Sequence, residues 1–406
     1  MTGRPPITVA DVIRKFAPAL LATGRVTPAQ ERVLRDLAVC RTAQLGGHVL
    51  RCGHCDERVV AYNSCRNRHC PSCLNHKSRE WLEAREADLL PVEYFHVVFT
   101  VPEEIAGLAL GNKKVVYDIL FAAAAETLQT IGADPKHLGA QLGFLAVLHT
   151  WDQKLRHHPH VHCIVPSGGL SPDGMRWVSC RPGFFLPVRV LSRLFRGKFL
   201  AKLREAYEAD KLRFAGSTAP FATEQGFRVF TAGCRRHEWV VYAKQPFGSP
   251  LQVLKYLARY THRVAISNAR VIAIDGDHVI FRYRSDSKTN TYSTMRVTGV
   301  DFLRRFVQHV LPKGYTRIRH FGFLANRYKR ERLELCRRLL EPNRDEPGPD
   351  GVHPVEEQVD DGFEKRPCPN CGCQRLKAIR ELRPALQRSW RPLRVASWRE
   401  AVIGSP

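Results

Sequence analysis

Apolar residues recur at three- and four-residue intervals through the first forty positions. "VADVIRKFAPALLA" (9–22) and "PAQERVLRDLAVC" (28–40) each gather them on one face of a 3.6-residue repeat, which predicts two helices, with Pro28 at the start of the second. The pattern lapses over a cysteine-rich stretch, 48–73, and "SREWLEAREADLL" (78–90) then reads as a connecting helix. From residue 93 the texture changes. "EYFHVVFTVP" is a β-rich run closed by Pro102, and "KKVVYDILFAAAAETLQTI" (113–131) is helical. "GFLAVLHTW" (143–151) and "HVHCIVP" (160–166) are strand-like and are joined by a polar, basic connection. A basic amphipathic helix (191–209) and a further strand (238–247) follow. Strand, helix, strand, strand is the order of an α+β domain with an antiparallel sheet. Residues 341–366 hold nine acidic and three basic side chains among many Pro and Gly, the composition of a flexible linker. The expected division is therefore 1–90, helical and zinc-binding; 91–340, the α+β domain; and 341–406, an acidic linker with a cysteine-containing basic tail.

Charge adds a partner to this picture. The 63 Lys and Arg against 39 Asp and Glu give a net charge of +24, which calls for a polyanion, most simply nucleic acid. At 44% hydrophobic residues a real core can form. No apolar run approaches the roughly 18 residues of a membrane span. The start, "MTGRPPITVADVIRKF", lacks the apolar core of a signal peptide. The expected location is the bacterial cytoplasm, in association with the nucleoid.

Thirteen cysteines, an odd number and clustered in Cys-x-x-Cys pairs, argue for zinc rather than disulfides. Cys52 with Cys55, and Cys70 with Cys73, are expected to supply one tetrahedral zinc ion. Cys40, His48, Cys65 and His69 lie close enough in sequence to serve a second ion. "CPNCGC" (368–373) offers three thiols, for which His353 or Cys336 are candidate fourth ligands. Closed sulfur coordination leaves no position for substrate, and Arg66, Arg68, Lys77 and Arg79 surround the pairs. The module therefore reads as a DNA reader rather than a catalytic zinc site.

"HHPHVHCIVP" (157–166) packs four histidines into six positions. Alternate residues of a strand share a face, so His160 and His162 project together while Val161, Cys163 and Val165 point into a core. Such a pair is either a bidentate site for a divalent ion or two hydrogen-bonded imidazoles. His149, Gln153 and His158 are candidates for a third ligand. Downstream, "FGSPLQVLKYLARYTHRVAIS" (247–267) starts a helix with Ser249 as N-cap and Pro250 in the first turn. Tyr256 and Tyr260 are four apart on it, as are Lys255 and Arg259. The two phenols are either core rings or a nucleophile pair beside two cations.

Taken in combination, these motifs carry a resemblance. "HPHVHCIV" resembles the His-hydrophobic-His (HUH) motif of single-strand DNA endonucleases, and "YLARYTHRVAIS" resembles the tyrosine motif of their two-tyrosine subgroup. "CRTAQLGGHVLRCGHC…YNSCRNRHCPSC" and "LPKGYTRIRHFGFLANRYK" are similar to segments of one family, the rolling-circle transposases of the insertion sequence ninety-one family. The match runs from about residue 10 to 335. The resemblance implies a ferredoxin- or RRM-like HUH domain behind an N-terminal zinc-binding region. It implies Tyr256 and Tyr260 as nucleophiles, His160 and His162 as ligands of a catalytic Mg²⁺ or Mn²⁺, and structural Zn²⁺. The implied partner is single-stranded DNA at transposon ends and target, with Lys255 and Arg259 on its backbone. Residues 282–297 and 314–330 interleave Arg and Lys with Tyr and Phe, as single-strand binding requires. Two other classes fit less well. A His-x-His metal hydrolase would not need this charge, and a non-catalytic zinc regulator leaves the His and Tyr pairs without purpose.

Overall fold

The computed structural model describes residues 7–73, 86, 88–183, 185–244, 252, 265–286, 289, 291–341, 367–373 and 376–385. Helix α1, Val9–Ala22, buries Val9, Val12, Ile13, Phe16, Ala17 and Leu20, the stripe its spacing predicted. Thr8 and Asp11 cap it reciprocally, and Thr27 with Gln30 do the same for α2, Pro28–Ala38. Two strands follow, β1 (Gly47–Cys52) and β2 (Arg58–Tyr62). Residues 78–85 and 87 of the helix expected over 78–90 lie outside the described residues.

The next elements are β3 (Tyr94–Thr100), α3 (Glu103–Gly111), α4 (Lys113–Ala133), β4 (Gly143–Trp151) and β5 (His157–Pro166). After two short strands, β6 (Gly168–Leu170) and β7 (Trp177–Ser179), come α5 (Val188–Glu208), α6 (Glu224–Arg236) and β8 (Val241–Lys244). Then follow β9 (Val271–Asp275), β10 (His278–Asp286), β11 (Thr291–Thr298), α7 (Gly299–Val307), β12 (Ile318–Gly322), α8 (Lys329–Leu340) and β13 (Leu376–Leu382).

The central sheet has the order β12-β4-β5-β3-β8, and every neighbouring pair in it is antiparallel. One face is apolar: Phe95, Val97 and Phe99 of β3, Phe144, Ala146 and Leu148 of β4, and Val161, Cys163 and Val165 of β5 are buried. They share one core with Tyr117, Leu120, Phe121 and Leu128 of α4 and with Phe195, Phe199 and Leu203 of α5. Each buried large side chain contributes roughly 1.5–3 kcal/mol, so this layer anchors the sheet and fixes its register. The opposite face carries His96, His149, His160 and His162.

A second core joins parts of the chain that the sequence assigned to different domains. Phe16, Leu34 and Leu37 of α1 and α2 pack with Val279 and Phe281 of β10 and with Phe302 and Phe306 of α7. Gly299 makes room for this packing, since a Cβ there would lie 2.2 Å from the Phe16 ring. Helices α1 and α2 thus share their core with residues drawn from 265–310. In the tail, Leu376–Leu382 form β13, which pairs with β1 in a sheet of order β13-β1-β2.

Candidate active site and zinc centres

The four clustered histidines divide by the alternation of β5. His157 points to the helical side, where its Nε2 lies 2.7 Å from the Tyr117 hydroxyl and its Nδ1 donates to the Ala106 carbonyl at 2.9 Å. His158 supplies a backbone carbonyl that accepts from His160 Nδ1 at 2.7 Å. That bond commits Nδ1 and leaves Nε2 of His160 as the nitrogen with a lone pair to offer.

His160 and His162 lie on the opposite face, as their spacing predicted. His149 is directly opposite His160 in the β4–β5 register. One ring nitrogen from each of His149, His160 and His162 lies within 4.8 Å of the other two. His149 is thus the third member among the candidates read from the sequence. Its ring stacks on Trp151 at 4.7 Å. Burial, first of all, brings His160 down to about 4 and His162 well below the usual range, with the neighbouring imidazoles adding to the effect. Those two rings are therefore neutral near pH 7, the form that binds a cation. Three imidazoles suit Mn²⁺ better than Mg²⁺.

A fourth histidine escaped the sequence reading. His96 of β3 is buried and parallel to His162, with ring centroids 4.9 Å apart and planes 7° from parallel. Its Nε2 lies 2.7 Å from His162 Nδ1. With His162 Nδ1 committed to His96, Nε2 is the nitrogen His162 can present to a cation. The only trace in the sequence was one polar residue inside the apolar run "YFHVVFT". Its partner, 66 positions away, becomes visible only when β3 pairs with β5.

The expected single zinc site is corrected. Cys70 and Cys73 group with Cys40 and Cys65, whereas Cys52 and Cys55 group with Cys368 and Cys371. The reason is the length of the β1–β2 hairpin. Five or six residues at about 3.3 Å each separate its tip from its base by roughly 17 Å. Cys52 and Cys55 occupy the tip. Cys65, Cys70 and Cys73 follow the base, where the chain returns beside the end of α2: Arg41 N–H donates to the Asn63 carbonyl and its guanidinium to the Ser72 carbonyl.

In the first group the Sγ separations are 3.5 Å for Cys40–Cys73 and Cys40–Cys70, and 3.6 Å for Cys65–Cys73. A zinc–sulfur bond of about 2.3 Å in a tetrahedron places sulfurs about 3.8 Å apart, so this donor set fits zinc closely. In the second group Cys52–Cys371 is 3.6 Å and Cys55–Cys368 is 3.5 Å. Backbone N–H groups of Cys55 and His54 point at Cys52 Sγ and lower that thiol to about 6. Two of the other suggested ligands serve elsewhere. His69 is buried, with its Nε2 accepting from Leu311 N–H at 3.2 Å, and burial holds it down to about 3. Cys336 is buried beside Leu333 and Phe323 in a separate apolar cluster. His353 lies outside the described residues, as do Tyr256, Tyr260, Lys255 and Arg259.

Comparison with known proteins gives this arrangement its context. Residues 12–101 match the family model described as "Transposase zinc-binding domain", and residues 143–332 match the one described as "Putative transposase". "Putative transposase y4qJ" of Sinorhizobium fredii is 50% identical over 369 residues, covering 89% of this chain and 92% of that protein. "Transposase for insertion sequence element IS801" of Pseudomonas savastanoi pv. phaseolicola is 28% identical over 314 residues, 76% of this chain and 73% of its own length. Among solved structures, the conjugative relaxase TrwC with oriT DNA, metal-bound, aligns at 13% identity and a TM-score of 0.24, covering 41% of this chain and 70% of that one. The same relaxase with a 27-mer DNA comprising the recognition hairpin and the cleavage site aligns at 12% and 0.23, covering 60% and 73%. Similarity at that level does not establish a common fold. The sequence matches, with the α+β architecture and the cysteine groups, define the class: a DNA transposase with a zinc-binding domain. The chain belongs to the insertion sequence ninety-one (IS91) family of rolling-circle transposases.

Proposed function

We propose that the protein nicks and rejoins single-stranded DNA at transposon ends by tyrosine transesterification. The observation that carries this reading is the convergence of His149, His160 and His162 on one sheet face, with His160 and His162 held neutral by burial. These three residues would hold Mg²⁺ or Mn²⁺, which when bound supplies positive charge to polarise a phosphodiester. His158 and His96 orient two of the three imidazoles through the hydrogen bonds described above.

Tyr256 and Tyr260 are the proposed nucleophiles. A free phenol has a pKa near 10 and attacks poorly at neutral pH, so lowering the phosphate's charge barrier is what the site must achieve. In the proposed step a phenol oxygen bonds to phosphorus and the bond to the 3′ oxygen breaks. The phenol proton is lost and the departing 3′ oxygen takes one up. A 5′-phosphotyrosine stores the bond energy until the 3′-hydroxyl of another strand reverses the exchange, so no nucleotide cofactor is consumed. The second tyrosine allows a second transfer before the first is resolved. Lys255 and Arg259 are proposed backbone contacts, and the Cys40, Cys65, Cys70 and Cys73 group the zinc centre of the DNA-recognition region.

The test is covalent capture. Labelled single-stranded transposon-end DNA with Mn²⁺ is expected to yield a protein adduct on a denaturing gel. Tyr256→Phe combined with Tyr260→Phe should abolish it, and His160→Ala with His162→Ala should nearly do so while leaving the circular dichroism spectrum intact. Adduct formation by the double tyrosine variant would overturn the assignment.

A further inference from the structure

The matched family segments end at residue 332, yet the tail beyond them returns to the cysteine-rich hairpin near the start of the chain. There, Cys52-Gly53-His54-Cys55 and Cys368-Pro369-Asn370-Cys371 form two turns of the same construction. The N–H of Asp56 donates to the Cys52 carbonyl at 3.2 Å, and that of Gly372 to the Cys368 carbonyl at 2.8 Å. The N–H of Cys52 donates to the Glu57 carbonyl at 2.9 Å, and that of Cys368 to the Cys373 carbonyl at 2.8 Å. Each turn ends in a left-handed residue, Asp56 at φ +61° and Gly372 at φ +71°. The four sulfurs approach to 3.5–3.6 Å between turns, well beyond a disulfide of about 2.05 Å and near the edge of a zinc–sulfur tetrahedron.

The strand that follows the second turn contributes no buried side chain. From Lys377 to Glu381, β13 is exposed. Its register sets Lys377 opposite Arg51, which faces Arg58 on the other side, and like charges directly opposed weaken a sheet. Even so, the pairing runs from Cys52↔Leu376 to Gly47↔Leu382, and the backbone at Gly46 packs so closely on Leu382 that a Cβ would lie 2.4 Å from its carbonyl oxygen. This exposed strand is docked directly beside the two cysteine turns, with Cys52 opposite Leu376 in the register.

We infer that Cys52, Cys55, Cys368 and Cys371 bind a second zinc ion that clamps the C-terminal tail onto the N-terminal hairpin. The protein then carries two zinc ions, and the more accessible one is shared by turns that lie 313 residues apart. Cys371 is exposed, so this ion should be the first that a chelator removes. The site needs no substrate and does not rest on the proposed strand-transfer chemistry.

Zinc per chain in the purified full-length protein should be two by inductively coupled plasma mass spectrometry, and one in Cys368→Ser with Cys371→Ser. Cobalt substitution should give sulfur-to-metal charge-transfer absorbance that falls by about half in that variant, in proportion to thiolates lost. A protease recognition sequence placed after Asp350, within the acidic linker, provides a readout of docking. After cleavage the tail should co-elute with the body in size-exclusion chromatography and leave it when the chelator removes one zinc. One zinc in both native protein and variant, four alkylation-resistant cysteines reporting disulfides in place of metal, or a tail that elutes separately with both zinc ions present would each overturn the inference. The single variant Cys371→Ser, at an exposed position, provides the same readouts should the double variant misfold.

Discussion

His96 offers the sharpest test of how the histidine face is organised. Replacing it with leucine removes the ring that lies 2.7 Å from His162 Nδ1 and stacks on it, and puts an apolar side chain of comparable bulk in the sheet. His162 then loses a buried hydrogen-bond partner and the restraint on its ring. Loss of a hydrogen bond at a buried group costs about 1–3 kcal/mol, and removing an orienting partner of a metal-binding histidine typically weakens metal affinity about 10–100-fold. The two figures agree, since each 1.4 kcal/mol is a factor of about ten. His96→Leu should therefore raise the Mn²⁺ dissociation constant by that range in isothermal titration calorimetry, and shift the Mn²⁺ concentration for half-maximal adduct formation in parallel. His96→Gln, whose carbonyl oxygen can accept from Nδ1–H, should recover part of the loss. If the Leu variant melts earlier yet binds Mn²⁺ within about twofold of the native value, His96 serves packing alone and the positioning role is refuted.

Other consequences follow from the same packing. Burial holds His157 down to about 4 and His309 well below the usual 6.5. The unfolded chain protonates both below about pH 6.5 and the folded one does not, so stability should fall from pH 6.5 toward 4 by at most about 1.4 kcal/mol per pH unit for each group. A melting temperature that rises over that interval would contradict this. Gly322 sits at φ +60° with its Cβ direction 1.7 Å from the Leu142 carbonyl oxygen. Gly322→Ala should cost more than about 2 kcal/mol and lower the melting temperature by several degrees; an unchanged transition would show that edge strand β12 can shift freely. On β11, Tyr292 is exposed beneath the Arg282 guanidinium, 5.2 Å from its ring centre. If this pair stacks on a base, Tyr292→Ala should weaken single-stranded DNA binding by about 1–3 kcal/mol in fluorescence anisotropy, and unchanged affinity would remove it from the interface.

Much of the fold was legible because it depends on short-range periodicity. The stripe of α1, the capped start of α2 at Pro28, and the alternation that sends Val161, Cys163 and Val165 one way and His160 and His162 the other are all properties of consecutive residues. The two-tyrosine motif and the basic charge pointed to single-stranded DNA by the same local route, and the family assignment came from motifs in order along the chain.

Partnership across distance could not be read that way. The sequence put Cys52 and Cys55 with Cys70 and Cys73 because they are neighbours in number. The hairpin separates them: Cys70 and Cys73 join Cys40, just past α2, and Cys65, just past β2, while Cys52 and Cys55 join Cys368 and Cys371 of the tail. His149 could be named only as one candidate among several until the β4–β5 register set it opposite His160, and His96 was invisible until β3 lay beside β5. Spacing along a chain determines which face a side chain occupies. Which other side chain shares that face depends on strand register and on the cores that fix it, and those exist only in the folded molecule.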